Sequence, residues 1–129
     1  NPDPLNIAAY NFSKNLELLR DIGKYQLLES STEIFPGLTA KLWKGHSQGM
    51  QGVRIFGDNH VLHYPADIIP CQSHLNLPVT SAYDVSRSDT FLAKQEIIND
   101  VIANDGIIIF NHDTEKEYVT ATEIIQVKK

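Results

Sequence analysis

Three polar residues stand where apolar, strand-like runs give out: His46 inside Gly45-His-Ser-Gln-Gly-Met-Gln-Gly52, Asp67 after Tyr64-Pro-Ala, and His112 after Ile107-Ile-Ile-Phe-Asn. Imidazole nitrogen and carboxylate oxygen are donors that zinc, iron and manganese share, and strand ends gathered by one sheet bring such donors together from distant positions in the chain. The same residues admit a plainer reading, two hydrogen-bonded loop histidines and an aspartate capping a turn, and spacing alone does not separate the two. His60 and His63 fall on opposite faces of one strand and read as sheet-surface residues. Cys71 and His74 suggest a cysteine hydrolase, but residues three apart in a loop rarely reach nucleophile and base geometry without a third group to orient them.

The elements that must position these residues follow from periodicity and punctuation. Leu16, Leu19 and Ile22 share one face, Ser13 is placed to cap and Gly23 to stop, which predicts a short helix over 14–22. Tyr25–Glu29 reads as a strand, Ile34-Phe35 as an apolar piece before the Pro36-Gly37 turn, and Leu38–Trp43 as another strand. Three glycines in eight residues make 45–52 a loop. Val53–Phe56 and His60–Tyr64, joined through Gly57-Asp58-Asn59, read as a β-hairpin, with Asp67 ending its second strand. Residues 70–90 form a long irregular segment of the kind that is usually functional. Leu92, Ile97, Ile98, Val101 and Ile102 form one helical stripe, ended at Asp105-Gly106, and Ile107–Phe110 is a buried strand. The tail from Tyr118 to Val127 is compatible with strand or helix.

This order predicts an α/β layered fold, a mixed β-sheet with helices on one face. Two helices and about six strands cover one sheet thinly, so a second layer from elsewhere is expected. The chain has 129 residues, with 42% hydrophobic and 21% charged, enough for one globular domain. Residues 1–12, rich in Asn and Pro, read as an arm or connector. A net charge of −5 without a basic block argues against nucleic acid and an anionic membrane surface as partners. No apolar run reaches the roughly 20 residues of a membrane span. The single Cys71 cannot form an internal disulfide, which favours a reducing, cytoplasmic setting. The Asn-Pro-Asp-Pro start, without an initiator Met, suggests a processed or excised piece.

A longer pattern runs through the chain. Glu33-Ile-Phe-Pro-Gly followed by Gly45-His-Ser-Gln-Gly-Met, then Tyr64-Pro-Ala-Asp-Ile-Ile-Pro-Cys-Gln-Ser-His-Leu, Ala82-Tyr-Asp and Gly106-Ile-Ile-Ile-Phe-Asn-His-Asp together resemble, in order, the C-terminal portion of metallo-β-lactamase-fold hydrolases, in their lactonase-like or metal-dependent hydrolase branch. The resemblance covers about residues 13 to 120. It implies half of an αββα sandwich, with 13–129 as the C-terminal part of such a domain. It also implies roles: His46 as ligand of a first metal, Asp67 as the catalytic carboxylate bridging two metals, and His112 as ligand of the second. Two divalent ions, zinc foremost with iron or manganese as alternatives, would hold a hydroxide that attacks an ester, lactone or related bond of a small-molecule substrate. His74 and Tyr83 fall where the substrate pocket is expected; the alternatives for His74 are support of a metal ligand through a hydrogen bond, or a purely structural role.

Two departures stand out. Met50 stands near where many relatives carry a second loop histidine, one that is not usually a ligand. The family's His-x-His-x-Asp-His signature, the source of the remaining ligands, occurs nowhere in the chain. The resemblance therefore implies a portion inactive without an N-terminal half, with that half or a second copy of the chain as the expected partner. The alternative is a non-catalytic module that uses an exposed sheet face for self-association or partner binding.

Overall fold

The computed structural model describes residues 13–127; the arm expected at 1–12 lies outside the described residues. Six strands form one mixed sheet in chain order: β1 (Thr32–Phe35), β2 (Leu38–Leu42), β3 (Gln51–Gly57), β4 (His60–Tyr64), β5 (Ile107–Ile109) and β6 (Tyr118–Thr120). Three helices accompany it: α1 (Ser13–Asp21), α2 (Arg87–Ala103) and α3 (Ala121–Val127), with short 3-10 turns at Ala66–Ile68 and Gln72–Leu75. Neighbouring strands are antiparallel except β4 and β5. A parallel pair needs a long crossover, and α2 supplies it. Because direction alternates from β2 to β4 and is kept from β4 to β5, the C-terminal ends of β2, β4 and β5 share one edge of the sheet.

Helix α2 begins where Ser86 accepts a hydrogen bond from Asp89 N at 3.3 Å, and it buries Thr90, Ala93, Lys94, Ile97, Ile98 and Val101 along one stripe. Those aliphatic side chains pack on Val61, Ile108 and Val119 of the sheet, with Trp43 and Ile124 of α3 in the same core. The opposite sheet face carries Leu42, Val53, Ile55, Leu62, Tyr64 and Ile107, which are half-buried to exposed. The sheet is thus closed by helices on one face and apolar but thinly covered on the other.

Several expectations are corrected. Tyr25–Glu29 is not a strand, because among the described residues the sheet ends at β1 and offers it no ladder. The apolar piece Ile34-Phe35 is instead part of β1, folded back on β2 through Gly37, which takes φ 79°. The hairpin forms as predicted, its turn set by positive φ at Asp58 (50°) and Asn59 (65°). Asp67 lies beyond β4, in the first 3-10 turn. The ambiguous tail divides into β6 followed by α3. Helix α1 ends at Asp21, one residue short of the predicted end, and Leu16, Leu19 and the following Ile22 stay 46%, 40% and 56% exposed.

His63 is no surface residue. Its ring is 1% exposed, and its Nε2 donates to Asp100 Oδ2 at 2.7 Å, a carboxylate that also accepts Arg54 Nε at 2.7 Å. Alternation alone put His63 on a solvated face, whereas α2 covers that face and brings Asp100 with it. Burial lowers the His63 pKa despite the Asp100 hydrogen bond, and the Arg54 guanidinium holds Asp100 below the usual carboxylate range. Below about pH 6.5 the unfolded chain binds a proton at this histidine that the native chain resists, so stability falls as pH falls through that window. Asp100 acts in the same direction at lower pH, as its carboxylate is protonated. We expect the melting temperature to drop between pH 7 and pH 5, and His63→Gln to flatten that dependence; an unchanged slope would assign the acid sensitivity to other groups.

Candidate metal centre

Each of the three strand-end residues reaches the shared sheet edge by its own local device. The His46 loop is closed at its base by Trp43 N donating to Met50 O at 3.0 Å. It is then seated on the start of α2, where Ser86 N donates to Gly45 O at 3.0 Å. Gly45 takes φ 137° and passes so close to α2 that a Cβ would meet Thr90 N at 2.5 Å. Asp67 is fixed by the turn after β4, where Ala66 adopts φ 48° and the fully buried Ile68 and Ile69 pin the backbone that follows. His112 follows β5, and its N–H donates to Pro70 O at 2.9 Å, tying the two strand ends together. Asp113 reinforces that tie by accepting from Gln72 N at 2.8 Å and from Glu115 N and Lys116 N, each at 3.0 Å; these bonds lower its pKa.

The structure brings His46, Asp67 and His112 together. His46 Nε2 lies 3.5 Å from Asp67 Oδ2, and His112 Nε2 lies 3.2 Å from Asp67 Oδ1. One carboxylate therefore has an imidazole nitrogen against each of its oxygens. His46 is buried, and its Nδ1–H donates to Asp84 Oδ1 at 2.9 Å, so in the neutral ring the Nε2 lone pair turns toward Asp67. A lone pair facing a carboxylate oxygen calls for a proton or a cation between them, and a carboxylate behind the histidine is the usual support of a metal-ligating imidazole. Asn111 Nδ2 donates to Asp67 Oδ1 at 2.7 Å, which leaves the buried Asn111 Oδ1 without a partner among the described residues. The donor set fits divalent metal, divided as two pairs of one imidazole and one carboxylate oxygen. No group of three His, Cys, Asp or Glu converges on a single ion position among the described residues.

His74 and Tyr83, expected in a pocket, sit in the 70–86 segment. Tyr83 is 66% exposed. His74 Nδ1 lies 3.1 Å from Cys71 Sγ and 3.2 Å from Ser73 Oγ. Cys71 stands at the N-cap position of the second 3-10 turn, where three residues per turn bring positions i and i+3 into line. Burial, and then the nearby Lys94 ammonium, lower the His74 pKa. Two contributors were not singled out from spacing, Asp84 as the partner of His46 and Asn111 as the partner of Asp67. A rule that ligating histidines need a carboxylate behind them was the signal available for Asp84.

A mixed sheet closed by helices on one face, with imidazoles on either side of a carboxylate beyond one strand end, is an α/β scaffold that brings these three side chains to one edge. Comparison with solved structures places it. A probable metal-dependent hydrolase from Staphylococcus aureus superposes with a TM-score of 0.71 at 26% identity, over 77% of this chain and 36% of that one. An N-acyl homoserine lactone hydrolase with its product at the catalytic metal centre gives 0.61 at 20% identity, over 74% of this chain and 42% of that one. A dizinc quorum-quenching lactonase gives 0.61 at 15% identity, over 88% and 42%. These neighbours are metal-dependent hydrolases and lactonases of the metallo-β-lactamase superfamily, and the chain has part of their fold. It spans about two fifths of the length of these structures. No protein-family model and no curated protein matches the chain, and no described helix is long and apolar enough to cross a membrane.

Proposed function

We propose that this chain is the C-terminal part of a dinuclear metal-dependent hydrolase acting on an ester, lactone or related bond of a small molecule. The observation that carries the reading is the single carboxylate of Asp67 with an imidazole Nε2 against each oxygen. Asp67 would bridge two divalent ions, zinc foremost, with His46 on the first and His112 on the second. When bound, the ions supply the Lewis acidity that makes water a nucleophile at neutral pH. The chain's own residues prepare the site: Asp84 fixes the His46 ring, and Asn111 orients Asp67 through Oδ1. His74 and Tyr83 would contribute to the wall that receives substrate. Two donors per ion fall short of the usual four, so the remaining ligands would come from an N-terminal half or a second copy of the chain, and this chain alone should not turn over substrate.

Native mass spectrometry after equilibration with zinc tests the reading by counting chains and ions together. The expected species contains this chain, a polypeptide carrying the missing ligands, and two ions. A self-associated, metal-free chain would overturn it and favour the second reading, a non-catalytic module paired through its sheet. That alternative draws on the open face, where Ile55 and Tyr64 are 42% and 38% exposed beside half-buried Val53 and Leu62.

A further inference from the structure

Lys94 is the largest fully buried side chain of the described residues, on the stripe of α2 that otherwise holds Thr90 and aliphatic residues. A buried ammonium needs its three protons satisfied, and here three main-chain carbonyls do so: Asn76 O at 2.7 Å, Leu77 O at 3.2 Å and Val79 O at 2.7 Å. All three belong to the loop that leads from the second 3-10 turn to α2. None of residues 76–86 is buried as a whole, and Pro78, Ala82, Tyr83 and Val85 are exposed, while Leu77 packs half-buried against the core. To that contact Lys94 at one end and Asp84 at the other add a polar grip. The Asp84 side chain is 1% exposed; its Oδ2 accepts Ser81 N at 3.2 Å while its Oδ1 accepts His46 Nδ1.

We propose that Lys94 is a positioning residue for the candidate metal centre: its ammonium, gripping the carbonyls of residues 76, 77 and 79, holds the loop from which Asp84 reaches His46. The role in metal binding rests on the hydrolase reading; the role in orienting His46 does not. Electrostatics agrees with the geometry, since Lys94 and Asp84 are opposite charges that attract across the loop. Burial pulls the lysine down to about 8 while Asp84 opposes the fall, which leaves the ammonium form dominant at neutral pH. A side chain of similar length without the charge would fill the same space on α2 and take the ammonium away from all three carbonyls, of which Asn76 O keeps its bond from Val79 N at 3.0 Å.

Lys94→Met separates the positioning role from packing, because methionine restores the apolar stem alone. Imidazole nitrogen NMR of the full chain reads the ring of His46, with His63 as internal control, since His63 donates to Asp100 of the same helix. In Lys94→Met we expect the Nδ1–H signature of His46 to be lost, the His63 signature to persist, and amide exchange over 76–85 to speed up at least tenfold while β4 and β5 stay protected. An unchanged His46 signature in a folded variant overturns the proposal. Should the variant not fold, the wild-type ammonium resonance of Lys94 decides: slow exchange with water supports the grip, and exchange as fast as that of surface lysines refutes it. Zinc titration of the same samples is read separately. A wild type that takes no zinc even with the missing ligands supplied fails the hydrolase reading, while the imidazole spectra still judge Lys94.

Discussion

Asp67→Asn is expected, on the proposed hydrolase function, to abolish hydrolysis in the assembled protein and leave the fold intact. The substitution keeps size and shape and removes the one charge to which both imidazoles turn, with His46 Nε2 at 3.5 Å and His112 Nε2 at 3.2 Å. It also replaces an acceptor oxygen at a position where Asn111 Nδ2 already donates at 2.7 Å, so one orientation of the new amide sets donor against donor. Losing an outer partner of a metal ligand costs about 10- to 100-fold in affinity or activity. Loss of a carboxylate shared by two ions should exceed that range. Zinc stoichiometry and turnover of an ester or lactone, with the melting temperature as control, check the prediction. Turnover within a few-fold of wild type would remove Asp67 from the bridging position, whatever holds the metal. Asp67 is 31% exposed at its side chain, so a large loss of stability is not expected.

The gathering of His46, Asp67 and His112 was readable because each follows a strand, and strand order with β4 and β5 parallel sends the ends of β2, β4 and β5 to one edge. Their place at strand ends picked His46 and His112 out of the five histidines of the chain, and the ordered motif resemblance gave them and Asp67 their implied roles. His63 shows the limit of alternation, which assigns a strand residue to a face and says nothing of what covers that face. Only the crossover by α2 turned it from a surface residue into the buried partner of Asp100. Lys94 was hidden for a related reason. In a helical stripe a lysine reads as a break in the apolar pattern, and its satisfaction depends on carbonyls of a loop whose path the sequence does not specify. Tyr25–Glu29 failed in the other direction, since strand composition without a neighbouring edge forms no ladder.

The glycines around His46 allow the largest structural effect to be tested within a single loop. Gly45→Ala places a Cβ where Thr90 Oγ1 would lie 2.3 Å away, Thr90 N 2.5 Å and Thr90 Cα 2.7 Å, and it forces an L side chain onto φ 137°. Two of those three atoms are helix backbone and cannot swing aside, so either the loop lifts off α2 or the start of the helix yields. Backbone strain and overpacking of this kind together cost about 2–5 kcal/mol. Lifting the loop would break the bond from Ser86 N to Gly45 O and carry His46 away from both Asp84 and Asp67. Gly45→Ala should therefore lower the melting temperature and weaken metal binding together. Gly49→Ala in the same loop is the control, because a Cβ there meets nothing within 4 Å. It should change stability by no more than about 0.5 kcal/mol. If the two variants melt alike, the close approach of the His46 loop to α2 is not what seats the histidine. If Gly45→Ala loses stability yet keeps full metal affinity, the loop carries His46 by a route other than its contact with the helix.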